Sequence, residues 1–155
     1  MKSQTILRDK GFTLIEVVLT ISIIAIFLGI SSFVDQSFFN RKLLKEEKSV
    51  LVSILQNAQN KAMNNINGND YGVHINKTAY VIFWEFPYDE TNLSNEIIAR
   101  NKNIKIYSTN LLNNDEVEVI FLQLSGDVKT TGKIDLEDKT NNKYIELLSG
   151  GLINW

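Results

Sequence analysis

The sequence predicts an α+β protein: a long N-terminal helix, apolar in its first half and amphipathic in its second, packed on a C-terminal antiparallel β domain. Three observations carry this. From Phe12 to Val34 the only charged residue is Glu16. Beyond Val34, leucines and alanines recur at helical spacing as far as Ala62, with charged residues between them. From Tyr71 onward the period falls to about two residues, with β-branched and aromatic residues in front and short polar turns between.

At about 1.5 Å per residue the stretch 12–34 reaches roughly 35 Å, enough to cross a hydrocarbon core of about 30 Å, which predicts a transmembrane helix. Lys2, Arg8 and Lys10 precede it against Asp9 alone, so the leader is net positive and the remainder more acidic than the overall charge of −2. Basic residues ahead of a span hold that end in the cytoplasm, so the acidic remainder is expected outside it. A net-acidic exported part argues against strong binding to nucleic acid, which depends on neutralising phosphates.

Glu16 needs a use, because a carboxylate in a span costs on the order of 3 kcal/mol even on lenient insertion scales. A cut between Gly11 and Phe12 supplies one. The new α-amine would lie within about one helical turn of Glu16 and could pair with that carboxylate on a neighbouring copy, so that Glu16 senses whether subunits are in register. Lys10-Gly11-Phe12-Thr13-Leu14-Ile15-Glu16, with the short basic leader before it and the apolar run after it, resembles the prepilin family, the precursors of type IV pilins and type II secretion pseudopilins.

The resemblance implies a pilin-like fold and a prepilin peptidase that cuts after Gly11 and methylates the amine of Phe12. It further implies that Glu16 acts in filament assembly with other pilin or pseudopilin subunits, at an inner-membrane assembly platform. The precursor would cross the inner membrane once, with its C-terminal domain outside the cytoplasm, and would later enter an extracytoplasmic filament. Two plainer readings remain: an ordinary secretory signal peptide, with Gly29 and Ser31 spaced as its cleavage site, and a generic anchor. Neither gives Glu16 a use.

The organisation expected is a leader at 1–11, a transmembrane and assembly helix at 12–34, an amphipathic spine at 35–66 and a β domain at 67–155. In the spine, Leu44, Leu51, Leu55, Ala58 and Ala62 mark one buried face with Leu43, Val50 and Ile54 beside it, while Lys42, Lys45, Glu46, Glu47 and Lys48 remain outside. Without a Pro or Gly break after Val34, the simplest expectation is one helix from about residue 12 to 65, roughly 80 Å long. The turn formers of 64–70 stop it.

Strands are then expected at 71–75, 78–86, 102–108, 116–124, 132–137, 143–149 and 152–155, with a polar loop at 87–95, making a sheet or a small sandwich. Trp84 and Phe86 alternate with Phe83 and Glu85, so one pair should face the core. Trp155 could cap a sheet edge or make a subunit contact. The stretch from Phe121 to Ile153 resembles the closing hairpins of H-type (FimT-like) minor pseudopilins. The chain has no cysteine, a departure from the disulfide-closed major pilins, and its only proline is Pro87 rather than one within the apolar helix.

No catalytic constellation emerges, so the chain is expected not to be an enzyme and to need no cofactor. His74, the only histidine, lies in a strand beside a turn and reads as a satisfied surface or edge residue, with no second histidine for a metal pair. Asp135, Glu137 and Asp138 with Glu146, and Asp115, Glu116 and Glu118, could recruit Ca²⁺ but lack the regularity of a dedicated loop. Lys102, Lys105, Lys129, Lys133, Lys139 and Lys143 are interleaved with acids, which argues against a DNA-capturing surface. The function expected is a minor pilin or pseudopilin, a structural subunit of a type IV pilus or type II secretion pseudopilus. The alternatives are a competence-type DNA-uptake pilin and a secreted or anchored β-domain binding protein.

Overall fold

The structure, a computed structural model, describes residues 11–31, 36–113, 116–138 and 141–155. It divides into two compact units, Met1–Gln36 and Ser37–Trp155. The first contains helix α1, Leu14–Ser31. Eighteen residues reach about 27 Å, short of a hydrocarbon core of about 30 Å. Among the described residues no helix is long and apolar enough to cross a membrane. The transmembrane helix expected at 12–34 is thus not found, and the residues at 32–35, on which its last turn and the continuity of an 80 Å helix depend, lie outside the described residues.

Helix α2, Gln36–Met63, belongs to the second unit from its second residue onward. Leu44, Leu51, Leu55, Ala58 and Ala62 are buried along one face, as their spacing predicts, and Val52 and Ile54 join them. Leu43 and Val50 lie on the flank and are exposed. Past Met63 the chain turns where Asn65, Asn67 and Gly68 take positive φ, a conformation open to Asn and Gly at little cost.

Among the described residues nine strands follow: β1 Tyr71–Ile75, β2 Ala79–Phe83, β3 Glu96–Ala99, β4 Lys105–Thr109, β5 Leu112–Asn113, β6 Glu116–Phe121, β7 Gly132–Glu137, β8 Asn142–Leu147 and β9 Ile153–Asn154. They form two antiparallel sheets, one ordered β3-β2-β1-β6-β5 and the other β4-β7-β8-β9. The α+β architecture is therefore as the sequence predicts. Strands β3 and β5 are additions, and β2 stops at Phe83 rather than at 86. Beyond Phe83 the alternation lapses: Trp84 is partly buried against the core, while Phe86 folds back on the Phe83 ring at 5.0 Å.

One core serves both sheets. Tyr71, Val73 and Ile75 of β1, Tyr80 and Ile82 of β2, and Val117, Val119 and Phe121 of β6 meet α2 together with Ile134, Leu136, Ile145 and Leu147 of the second sheet. The register explains the choice of side: Val73 lies opposite both Ile82 and Val119, and paired residues share a face. The far end of α2 is tied to the closing turns. The Gln59 side-chain amide donates to the carbonyls of Gly126 (3.0 Å) and Gly151 (2.6 Å), and the Leu124 amide donates to the Ala62 carbonyl at 2.9 Å. Gly151 has φ +72°, and a Cβ there would collide with the Gly126 carbonyl, so this turn admits no side chain.

Glu47 departs from expectation. Rather than lying outside with its charged neighbours it is only 9% exposed, and its carboxylate accepts from the Tyr80 hydroxyl at 2.7 Å and the Asn101 amide at 3.1 Å. Burial, then this bond to a carboxylate, pushes the Tyr80 phenol far above its ordinary pKa.

Candidate functional site

The residues with expected roles in processing and assembly, Gly11, Phe12 and Glu16, sit where the chain enters α1. Gly11 and Phe12 precede the helix outside any regular element, and Phe12 is 81% exposed. Among the described residues nothing lies within 4 Å of where a Gly11 side chain would be. Thr13 starts the helix: its carbonyl accepts from the Glu16 and Val17 amides at 3.1 and 3.2 Å, and its hydroxyl lies 3.4 Å from the Glu16 amide.

Thr13-Leu14-Ile15-Glu16 therefore has the Thr-x-x-Glu spacing of a capping box, with the hydroxyl half formed. Glu16 also lies in the first turn, where the helix dipole favours a negative charge. This second role for Thr13 and Glu16 was legible in the spacing but is overshadowed by the family resemblance of the same residues.

Along α1 the apolar side chains from Leu14 to Leu28 are 46 to 84% exposed, and none is buried. Such a helix has no core of its own to enter, and water would oppose it by about 25 cal/mol per Å² of apolar surface. Two of its hydroxyls are satisfied within the helix: Thr20 donates to the Glu16 carbonyl at 2.7 Å and Ser22 to that of Val18 at 2.8 Å. A surface that is apolar all round, with these two hydroxyls turned inward on the backbone, suits a surrounding of lipid or of other apolar helices.

The other expected site residues lie in the second unit, away from any such role. His74 is neither a surface nor an edge residue: it is 4% exposed, on the interior strand β1, facing away from α2. Its Nε2 is 2.6 Å from a Glu116 carboxylate oxygen, its Nδ1 is 3.8 Å from one of Glu118, and its ring stacks on Tyr88 at 4.0 Å. Sequence reasoning missed this because β6 brings the two glutamates from over forty residues away. The arrangement fixes the His74 ring between the β6 glutamates and the Tyr88 ring. Burial, then the nearby carboxylates of Glu90, Glu116 and Asp89, raises the Tyr88 pKa.

The acidic groups do not converge. Asp135 pairs with Lys133 at 2.7 Å, Glu146 accepts from the Asn154 amide at 3.1 Å, and Asp138 accepts from the Asn141 amide at 2.7 Å, while Asp115 lies outside the described residues. Among the described residues no group of three or more His, Asp or Glu is placed so that it could hold a metal ion.

Comparison with known proteins falls on the N-terminal segment. Neither the curated proteins nor the solved structures yield a match to the chain. Residues 6–32 match the family model described as the prokaryotic N-terminal methylation motif, a stretch that includes Gly11, Phe12, Thr13 and Glu16. That motif supports a type IV pilin or pseudopilin-like subunit and implies processing by a prepilin peptidase and assembly with other such subunits.

Proposed function

We propose that the chain is a minor pilin or pseudopilin, a structural rather than catalytic subunit, cleaved after Gly11 and N-methylated at Phe12. It is then assembled into, or at the tip of, a type IV pilus or type II secretion pseudopilus. The observation that carries the reading is the methylation motif followed at once by a helix whose large apolar side chains from Leu14 to Leu28 are exposed. Before processing, the apolar segment is held at the inner membrane with the β domain outside the cytoplasm; afterwards α1 packs among copies and relatives of itself on the assembly platform. Glu16 pairs with the freed Phe12 amine of a neighbour and fixes the stagger, and an external motor supplies the work. The absence of cysteine and the resemblance of residues 121–153 to the closing hairpins of H-type subunits support the minor role.

The test is the N-terminal residue and mass of the mature protein purified from cells with their own processing enzymes. A chain beginning at N-methylated Phe12 is expected. A start near residue 32, or an intact Met1 in the presence of the peptidase, overturns the reading. In the same cells Glu16→Ala is expected to leave the protein folded and processed but absent from sheared filaments; incorporation at the parental level removes Glu16 from the assembly mechanism.

A further inference from the structure

Four cations scattered along the sequence are brought around one opening in the second unit. Lys77 lies in the β1–β2 turn, Arg100 and Lys102 follow β3, and Lys105 begins β4. They line a cavity of about 390 Å³ together with Thr78 and the half-exposed Tyr107; among the described residues no acidic side chain lines it, and Glu137 lies opposite Lys105 across β4 and β7.

The gathering is built by hydrogen bonds. Arg100 donates from Nη1 to the Asn76 carbonyl at 2.7 Å and from Nη2 to the Ile104 carbonyl, and its backbone amide bonds Thr78 O at 3.1 Å. Asn76 Oδ1 accepts from the Thr78 and Ala79 amides at 2.9 and 2.8 Å, and Asn101 Oδ1 from the Asn103 amide at 3.0 Å. Arg100 thus ties two hydrogen-bonded turns to each other, and the lysines that flank them line one mouth.

Among the described residues none of Lys77, Arg100, Lys102 and Lys105 takes part in an ion pair. In a chain whose overall charge is −2, the three exposed lysines gather at one concavity beside the Arg100 guanidinium, against their mutual repulsion. Such a mouth focuses positive potential and draws anions to it. Lysines give strong charge-assisted bonds to phosphate oxygens, and a compact group carrying two or more negative charges offsets this cluster better than one carboxylate does. The Tyr107 ring gives one wall for an attached ring or apolar part.

We propose that the opening lined by Lys77, Arg100, Lys102, Lys105 and Tyr107 is a binding site for a multiply charged phosphate. The three lysines bind the oxygens, and Arg100 positions them. The inference stands apart from the pilin reading, since it uses no residue of α1.

Calorimetric titration of the full chain in a non-ionic detergent at about 0.1 M salt tests it, where distant surface charges are largely screened. The probes are inorganic tripolyphosphate and a mixed-sequence single-stranded oligonucleotide. One bound tripolyphosphate per chain without oligonucleotide binding identifies a free phosphate compound; oligonucleotide binding at the same site identifies a phosphodiester backbone. Both support the site.

Lys77→Gln/Lys102→Gln/Lys105→Gln is expected to lose at least about tenfold in affinity with an unchanged unfolding midpoint, while Arg at the same three positions retains binding. Lys48→Gln/Lys129→Gln/Lys143→Gln removes the same charge elsewhere and is expected to stay within about threefold of the parent. Failure of the parent to bind either probe, or an equal loss in the two triple Gln variants, overturns the proposal.

Discussion

The two units of this chain treat apolar side chains in opposite ways. In the second, α2 hides Leu44, Leu51, Leu55, Ala58 and Ala62 under two sheets, and its polar groups are tied across the fold, as in Gln59 to Gly126 and Gly151 and Glu47 to Tyr80. In the first, α1 exposes its large apolar side chains and satisfies two of its hydroxyls on its own backbone. The lesson is that α2 is stabilised by packing present within its own unit, whereas the large apolar side chains of α1 from Leu14 to Leu28 stay exposed. Hydrophobic burial is non-directional, so the same driving force can build a core or an assembly surface according to what lies opposite.

The largest test of that contrast is truncation. Leu55→Ala is expected to destabilise the second unit by about 3 kcal/mol through lost burial and a cavity, read as a lower denaturant midpoint in the full chain. Ile24→Ala is expected to move the same midpoint by less than about 0.5 kcal/mol. Equal shifts would mean that α1 contributes to the stability of the second unit.

A smaller effect is expected at the buried polar link. Glu47→Ala removes the acceptor of the Tyr80 hydroxyl and the Asn101 amide and is expected to cost about 1–3 kcal/mol, whereas the equally charged Glu46→Ala, whose residue is exposed and paired with Lys42 at 3.8 Å, is expected to cost under about 0.5. Comparable losses at the two positions would show that the buried bonds add nothing.

The same tyrosine makes stability fall at alkaline pH. The Tyr80 phenol is raised by burial first and by Glu47 second, and those of Tyr71 and Tyr88 are raised by burial in the same direction. A folded pKa above the unfolded one gives stability that is full below about pH 10, the usual tyrosine value, and is lost as pH rises beyond it. Denaturant midpoints measured from pH 8 upward should be level and then decline above about pH 10, with Tyr80→Phe showing a shallower decline. A parent curve that stays level through that range contradicts the assignment.

The smallest expected effect returns to α1. Thr13→Ala removes the hydroxyl facing the Glu16 amide and is expected to cost about 1 kcal/mol of helix stability, seen as faster amide exchange in the first turn with the second unit unchanged. Unaltered exchange there would mean that Thr13 does not cap the helix.

Much of the fold was legible because period reports burial. The spacing of Leu44, Leu51, Leu55, Ala58 and Ala62 marks one helical face whatever covers it, and the alternation in Gly132–Glu137 marks a strand with one buried side. The methylation motif was legible because its residues are contiguous. Strand β3 was not: Glu-Ile-Ile-Ala shows no alternation and becomes a strand by pairing with β2. The end of β2 at Phe83 was hidden for the same reason, since aromatics continue past it into the loop.

By itself, then, the sequence determined what is local: an apolar N-terminal helix behind a processing motif, an amphipathic second helix, and an antiparallel β domain after it. Only the tertiary structure decided what depends on partners distant in the chain. It buried Glu47 by offering it Tyr80 and Asn101, set His74 between Glu116 and Glu118, and drew Lys77, Lys102 and Lys105 around one opening through the Arg100 clamp. The physical reason is range: helical and strand periods act over a few residues, whereas the environment of a charge is set by whichever segments the core brings beside it.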